Sequence, residues 1–204
     1  MSNNVSTATT TQRIQNALLD IVGAVPTTSC TPATDPRREA QRLAFRAKAQ
    51  AAAVAGGLAL PPGPLGMLTI LPDLLIIWKI QSQLVADIAA AYGKSGVLRQ
   101  ESMLYCLFRH GVASLGRDLL MRVGERVLIR KASLNFMNKM LAKVGIHIAP
   151  RVLGRGISRW IPILGAAMVA GYAWYDTAQV AKSAIELFSS EISVDDKEVD
   201  EPSA

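Results

Sequence analysis

Residues 51–93 read AAAVAGGLALPPGPLGMLTILPDLLIIWKIQSQLVADIAAAYG, and this stretch decides the fold. Its first arm, Ala51–Leu60, is uncharged and built from small and aliphatic residues. Pro61, Pro62 and Pro64, with Gly63 between them, then remove three backbone donors and set rings against the preceding turn, so no helix continues through them. Beyond the break, Pro72 can open a new helix with Asp73 in its first turn, and Tyr92-Gly93 closes it. A carboxylate suits the positive N-terminal end of a helix and glycine suits its left-handed C-cap. Two apolar helical arms therefore meet at a proline hinge. Small residues on the first (Ala52, Ala55, Gly56, Ala59) allow close contact with Leu68, Leu71, Leu75 or Trp78 on the second.

The same grammar returns at Trp160–Tyr175, WIPILGAAMVAGYAWY, which passes into DTAQVAKSAIELF. Asp176 precedes Lys182 by the offset that separates Asp73 from Lys79, which suggests a weak internal repeat. Over the whole chain of 204 residues, hydrophobic residues make up 50% but aromatics only 5%. Ala, Leu, Ile, Val and Gly suit helix-on-helix packing better than a β-sandwich. The expected fold is all-α, a helical bundle with two apolar Pro/Gly-broken helical hairpins (Ala51–Tyr92 and Gly156–Phe188), at least five helices and essentially no β-sheet. Breaks are expected at Pro26–Pro36, Pro61–Pro64, Gly93–Gly96 and near Pro150.

The organisation around this core follows from local composition. Residues 1–10 are Ser/Thr/Asn-rich and are expected to be disordered. Residues 11–36 hold a short amphipathic helix, with Ile14, Leu18, Ile21 and Val22 on one face, and a breaker-rich linker ending in the helix-start signal Asp35-Pro36. Residues 37–190 form the helical domain, and 191–204 an acidic, disordered tail. That tail carries six acids against Lys197, a net charge of −5, so the +6 of the whole chain conceals +11 on the residues before it. Such a bias points to an anionic partner. Cys30 and Cys106 lack disulfide or zinc spacing and imply a reducing compartment, and no signal peptide is legible at the N-terminus.

A spanning helix needs about 20 apolar residues, and no block supplies that. The blocks fit buried core helices or re-entrant, interfacial segments, with Trp78, Trp160 and Trp174 in or beside them as interface aromatics are. Arg122, Arg126 and Arg130 recur every four residues, which on a helix stacks them on one side. Arg151, Arg155 and Arg159 precede the second apolar block. Read blandly these are solvated faces; read functionally they bind anionic lipid headgroups, each contributing about 1 kcal/mol near a membrane surface. Nucleic acid is not the expected partner, because no aromatics interleave the basic residues.

No catalytic site is legible. Gly93-Lys94-Ser95 imitates the end of a phosphate loop, but Ile88 stands where the loop needs glycine. Ser114 in GVASLG has the wrong spacing for a nucleophile elbow. His110 and His147 lack partners at metal-ligand spacing and read as surface or core-edge histidines. Gly154 and Gly156 form a turn without the rest of a dinucleotide fingerprint. No cofactor or metal is expected. Asp73 and Asp176 are costly within apolar blocks unless partnered. They are read either as N-terminal helix carboxylates or as members of a buried polar cluster with Lys79 and Lys182.

Two stretches resemble the EcsC family, and more distantly the related domain of unknown function that follows GTPase domains in some bacterial inner-membrane proteins. The first runs from Ala51 through Pro61–Pro64, Asp73 and Gln81 to Ala91-Tyr92-Gly93; the second from Ile161-Pro162-Ile163-Leu164-Gly165 to Val180-Ala181 and Phe188. The resemblance implies an all-helical, membrane-associated domain with no catalytic residue to carry over. Two functions are compatible with the whole. One is a membrane-associated adaptor or scaffold at the cytoplasmic face of the inner membrane, meeting anionic lipid and a membrane protein complex. The other is an effector that permeabilises the bilayer. Oligomeric state is left open.

Overall fold

The computed structural model describes residues 16, 20, 23–58, 70–110, 119–123, 126–133, 135, 136, 138, 139, 142 and 162–199. Among these the order is helix α1 (Pro36–Leu58), helix α2 (Ile70–Ala91), a 3-10 turn (Ser95–Val97), helix α3 (Gln100–Phe108), strands β1 (Leu120–Val123) and β2 (Arg126–Ala132), helix α4 (Pro162–Ser189) and strand β3 (Glu191–Val199). The protein is predominantly helical, a helical bundle as its composition implies.

The helix boundaries follow the local chemistry. Asp35 Oδ1 accepts from the backbone N–H of Arg38 at 3.0 Å, so Asp35 caps α1 while Pro36 occupies the first turn. The α2 terminus is a Schellman motif: Gly93 adopts φ +68°, its N–H reaches the Ala90 carbonyl at 2.8 Å, and the Lys94 N–H reaches that of Ala89 at 2.8 Å. Only glycine enters this left-handed conformation without strain. The Ala33 N–H satisfies the Ala91 carbonyl at 3.0 Å. The breaker-rich linker is docked along α2, where Thr28 donates to Asp87 at 2.6 Å and Gln83 to the Thr27 carbonyl at 3.1 Å. At α3 the Arg99 N–H donates to Ser102 Oγ at 2.9 Å.

Helices α1, α2 and α4 pack side by side. The apolar stripe Ala40, Leu43, Ala44 and Ala47 of α1 has helical period and meets Leu84, Val85 and Ile88 of α2 and Val180, Ala184, Leu187 and Phe188 of α4 in one cluster. Glu101–Phe108 of α3 are buried beside them, and Met103, Leu104 and Leu107 each contribute about 1.5–3 kcal/mol by leaving water. A second cluster of Ala51, Ala55 and Ala173, with Ile77, Ile80 and Val169 against it, continues the packing toward the other end. Because Gly56 lies against Ala166 and Ala170 while Phe45 meets Trp174, α1 and α4 run antiparallel.

Three expectations are corrected. The hairpin tip Pro61–Pro64 and residues 156–161 lie outside the described residues, but Pro162–Ser189 is a single unbroken helix of 28 residues, in which Pro162 is the first residue and costs nothing. Pro72 and Asp73 likewise lie inside α2, which already begins at Ile70. Most importantly, a three-stranded sheet replaces the amphipathic helix expected around Arg122–Arg130, and Glu191–Val199 is its third strand, not a disordered tail. β1 and β2 pair antiparallel and β2 and β3 parallel. The reason is the two-residue period of β2: Val127 and Ile129 are buried while Arg126 is exposed, and a register shift between Arg130 and Lys131 turns Lys131 outward as well. Residues four apart share a face in a strand as they nearly do in a helix, so arginine spacing alone does not distinguish the two.

A Cβ on Gly56 would stand 3.3 Å from Ala170 Cβ, whereas one on Gly57 would meet nothing within 4 Å. Gly56→Leu is therefore expected to cost about 1–3 kcal/mol by forcing α1 off α4, and Gly57→Leu to be neutral or stabilising, as measured by urea unfolding. Equal effects at both positions would refute the close contact.

Candidate functional site

Charge divides the bundle along its length. α1 carries Arg37, Arg38, Arg42, Arg46 and Lys48, and then none of its residues to Leu58 is charged. α4 has no charge from Pro162 to Tyr175 and acquires its first at Asp176; α2 has none between Asp73 and Lys79. Antiparallel packing gathers these lengths at one end, which among the described residues of the three helices is uncharged apart from Asp73 near the start of α2. That end keeps apolar side chains in the open: Met168 and Tyr175 are 65% and 60% exposed, and Tyr172 and Ile76 are exposed as well. Met168, Tyr172 and Tyr175 follow the i, i+4, i+7 spacing of a single helix face.

An aromatic and cationic collar marks the boundary. The Phe45 and Trp174 rings meet edge to face at 5.6 Å, and Lys48 Nζ lies 4.8 Å from the Trp174 centroid and 5.9 Å from that of Phe45. The ring faces attract the ammonium, which keeps it at the level where charge begins.

Just past the collar, a polar cluster crosses the core. Gln81 Nε2 donates to Asp176 Oδ2 at 2.8 Å and to Thr177 Oγ1 at 3.2 Å, and the other Asp176 oxygen lies 2.7 Å from His110 Nε2. Gln81 is 1% exposed and Thr177 fully buried; the His110 and Asp176 side chains are 23% and 18% exposed. Each buried polar group is thus partnered, which is what makes the cluster affordable in a core. The cluster joins α2, α4 and the residues following α3. An imidazole held by a carboxylate supplies two of the three members of a nucleophile-activating triad, but among the described residues no hydroxyl or thiol is bonded to that ring. No group of three or more His, Cys, Asp or Glu able to hold a metal occurs among them either.

The expected cluster of Asp73, Lys79, Asp176 and Lys182 is not what assembles. Asp176 belongs to the observed cluster, Lys79 and Lys182 are exposed and outside it, and the Asp73 side chain lies outside the described residues. The partners that reasoning from sequence missed are His110, Thr177 and, as a ligand of Asp176, Gln81. A polar residue midway between buried Trp78 and Leu84 was the available signal. Of the arginines, Arg151, Arg155 and Arg159 are outside the described residues. Arg122 pairs with Val127 across β1 and β2, and Arg126 bonds Glu191 at 3.0 Å. Arg130 stands opposite Asp195, and Lys131 opposite Glu198. The chain's own acids meet this basic strand.

Elsewhere, Arg109 bonds Glu186 at 2.7 Å, which raises the arginine pKa further, and the Lys94 ammonium donates to the Phe188 carbonyl at 2.8 Å and to that of Ser190, closing α4. Comparison with known proteins returns no match to any family model, curated protein or solved structure.

Removing Gln81 or Asp176 leaves a buried polar partner unsatisfied, so Gln81→Leu and Asp176→Ala should each cost about 1–3 kcal/mol. The double variant should cost less than their sum by at least about 0.5 kcal/mol; strict additivity in urea melts would show that the two do not interact. Burial pushes the Cys106 thiol well above its ordinary range, while Cys30 is only half-buried. Thiolate is the reactive form, so Ellman's reagent should titrate one thiol in the native protein and two in guanidinium. Two fast native thiols would contradict the buried α3.

Proposed function

We propose that this chain is a non-enzymatic, membrane-associated protein. The uncharged end of its bundle dips into one leaflet at the cytoplasmic face of an anionic inner membrane, and the charged end serves as an adaptor or scaffold for a membrane complex. The observation that carries this reading is the partition of charge, with exposed Met168 and Tyr172 on one side of the Phe45–Trp174–Lys48 collar, Tyr175 at its level, and the remaining cations of α1 and α4 on the other. No helix among the described residues is long and apolar enough to cross a membrane. The uncharged length of α4 is about 21 Å and that of α1 about 15 Å at 1.5 Å per residue, against a hydrocarbon core of about 30 Å. Such dimensions suit one leaflet. The similarity of residues 51–93 and 161–188 to the EcsC pattern points the same way.

The test uses the full chain with Cys30→Ser and vesicles containing phosphatidylglycerol. The protein should co-sediment with them, its fluorescence should be quenched by brominated lipid, and Trp174→Phe should reduce that quenching. Cysteines placed at Lys48 and Lys94 should both be labelled by an impermeant reagent from the outer side of the vesicles. Failure to bind vesicles, or labelling of the two positions from opposite sides, overturns the reading. Release of an entrapped dye at low protein-to-lipid ratio would make the chain a permeabilising effector and not an adaptor.

A further inference from the structure

Between α1 and α4, on the charged side of the collar, runs a groove of about 470 Å³. Its rim carries Arg37, Gln41, Lys48 and Lys182, and its floor is made of small side chains, Ala44 and Ala181, which are almost fully buried. Among the described residues, none of the three cations has a carboxylate within salt-bridge distance. The one acid on the rim, Glu186, is engaged by Arg109. The groove is therefore a concave, electropositive channel whose cations are not neutralised by the fold. The basic strand β2 differs in this respect, since the chain's own acidic strand lies against it.

The position of the groove limits what would occupy it. It opens at Lys48, which the Trp174 and Phe45 rings hold at the collar, so its mouth lies where the apolar end of the bundle stops. A ligand entering there meets exposed aromatic and aliphatic surface on one side and three cations on the other. We propose that this groove binds the headgroup of an anionic phospholipid, its phosphodiester meeting Lys48 at the mouth and its acyl chains lying along the exposed apolar face of α4. Lys182, Arg37 and the amide of Gln41 supply further donors along the groove for the rest of the headgroup. Ammonium and guanidinium groups are the usual ligands of phosphate oxygens. The proposal rests on the membrane reading above and names the lipid-recognising residues within it.

The experiment compares Lys182→Glu, in the groove, with Arg38→Glu, an equal charge change on an exposed α1 residue outside it. Binding is measured to phosphatidylglycerol vesicles and to phosphatidylcholine vesicles, with circular dichroism confirming that each variant folds. Lys182→Glu should weaken phosphatidylglycerol binding about tenfold and leave phosphatidylcholine binding unchanged, while Arg38→Glu should change either by less than about threefold. An equal loss in both variants would mean that only the diffuse field of the protein attracts the membrane, and the groove assignment would fall. Competition by millimolar glycerol phosphate as effective as that by lipid would assign the groove to a soluble phosphoester and overturn the lipid as occupant. A wild-type protein that binds neither vesicle would instead overturn the membrane reading itself.

Discussion

The antiparallel contact of α1 with α4 is the constraint on which the other features depend. It is made by Ala51, Ala55 and Gly56 on one helix and Ala166, Ala170 and Ala173 on the other, residues small enough to let two backbones approach closely. Close approach sets the relative height of the two helices. Phe45 and Lys48 then reach Trp174, the uncharged lengths of both helices coincide, and Arg37 and Lys182 come to line one groove. A larger side chain at Gly56 would disturb all three at once.

The polar cluster serves a second kind of registration. An apolar interface between α2 and α4 would tolerate sliding by a turn, because Ala, Leu and Ile are locally interchangeable in such a surface. The bonds from Gln81 to Asp176 and Thr177 do not tolerate it, since a slid helix would leave buried amide and carboxylate groups unsatisfied. His110 adds the residues following α3 to the same point. Beside this cluster the Trp78 and Phe108 rings meet edge to face at 5.9 Å.

The sheet is stabilised differently. Its parallel pair places Arg126, Arg130 and Lys131 in register with Glu191, Asp195 and Glu198. The Arg126–Glu191 pair is well exposed on both sides, so its share is small and screened by salt. Val127, part of the main apolar cluster with the helices, ties β2 to the core, and Ile129 is buried as well. Lys94, bonded to carbonyls at the end of α4, marks where the chain leaves the helix for β3.

The helical body was legible in local sequence. Alanine and glycine in apolar runs, the Asp35-Pro36 start and the Tyr92-Gly93 stop are local signals, each satisfied within a few residues by backbone geometry and capping. The separation of uncharged from charged stretches was legible for the same reason. The remaining features depend on residues far apart in the chain. Arg122, Arg126 and Arg130 have a spacing that helix and strand share, and only the pairing of β2 with residues beyond α4 resolves it. Asp176 was visible as a costly carboxylate, but its partners Gln81 and His110 lie 95 and 66 residues away, and the nearer lysines remain in water because an exposed ammonium keeps its hydration. The groove was likewise invisible, since Arg37, Lys48 and Lys182 become neighbours only when two antiparallel helices approach closely enough for alanines to form its floor.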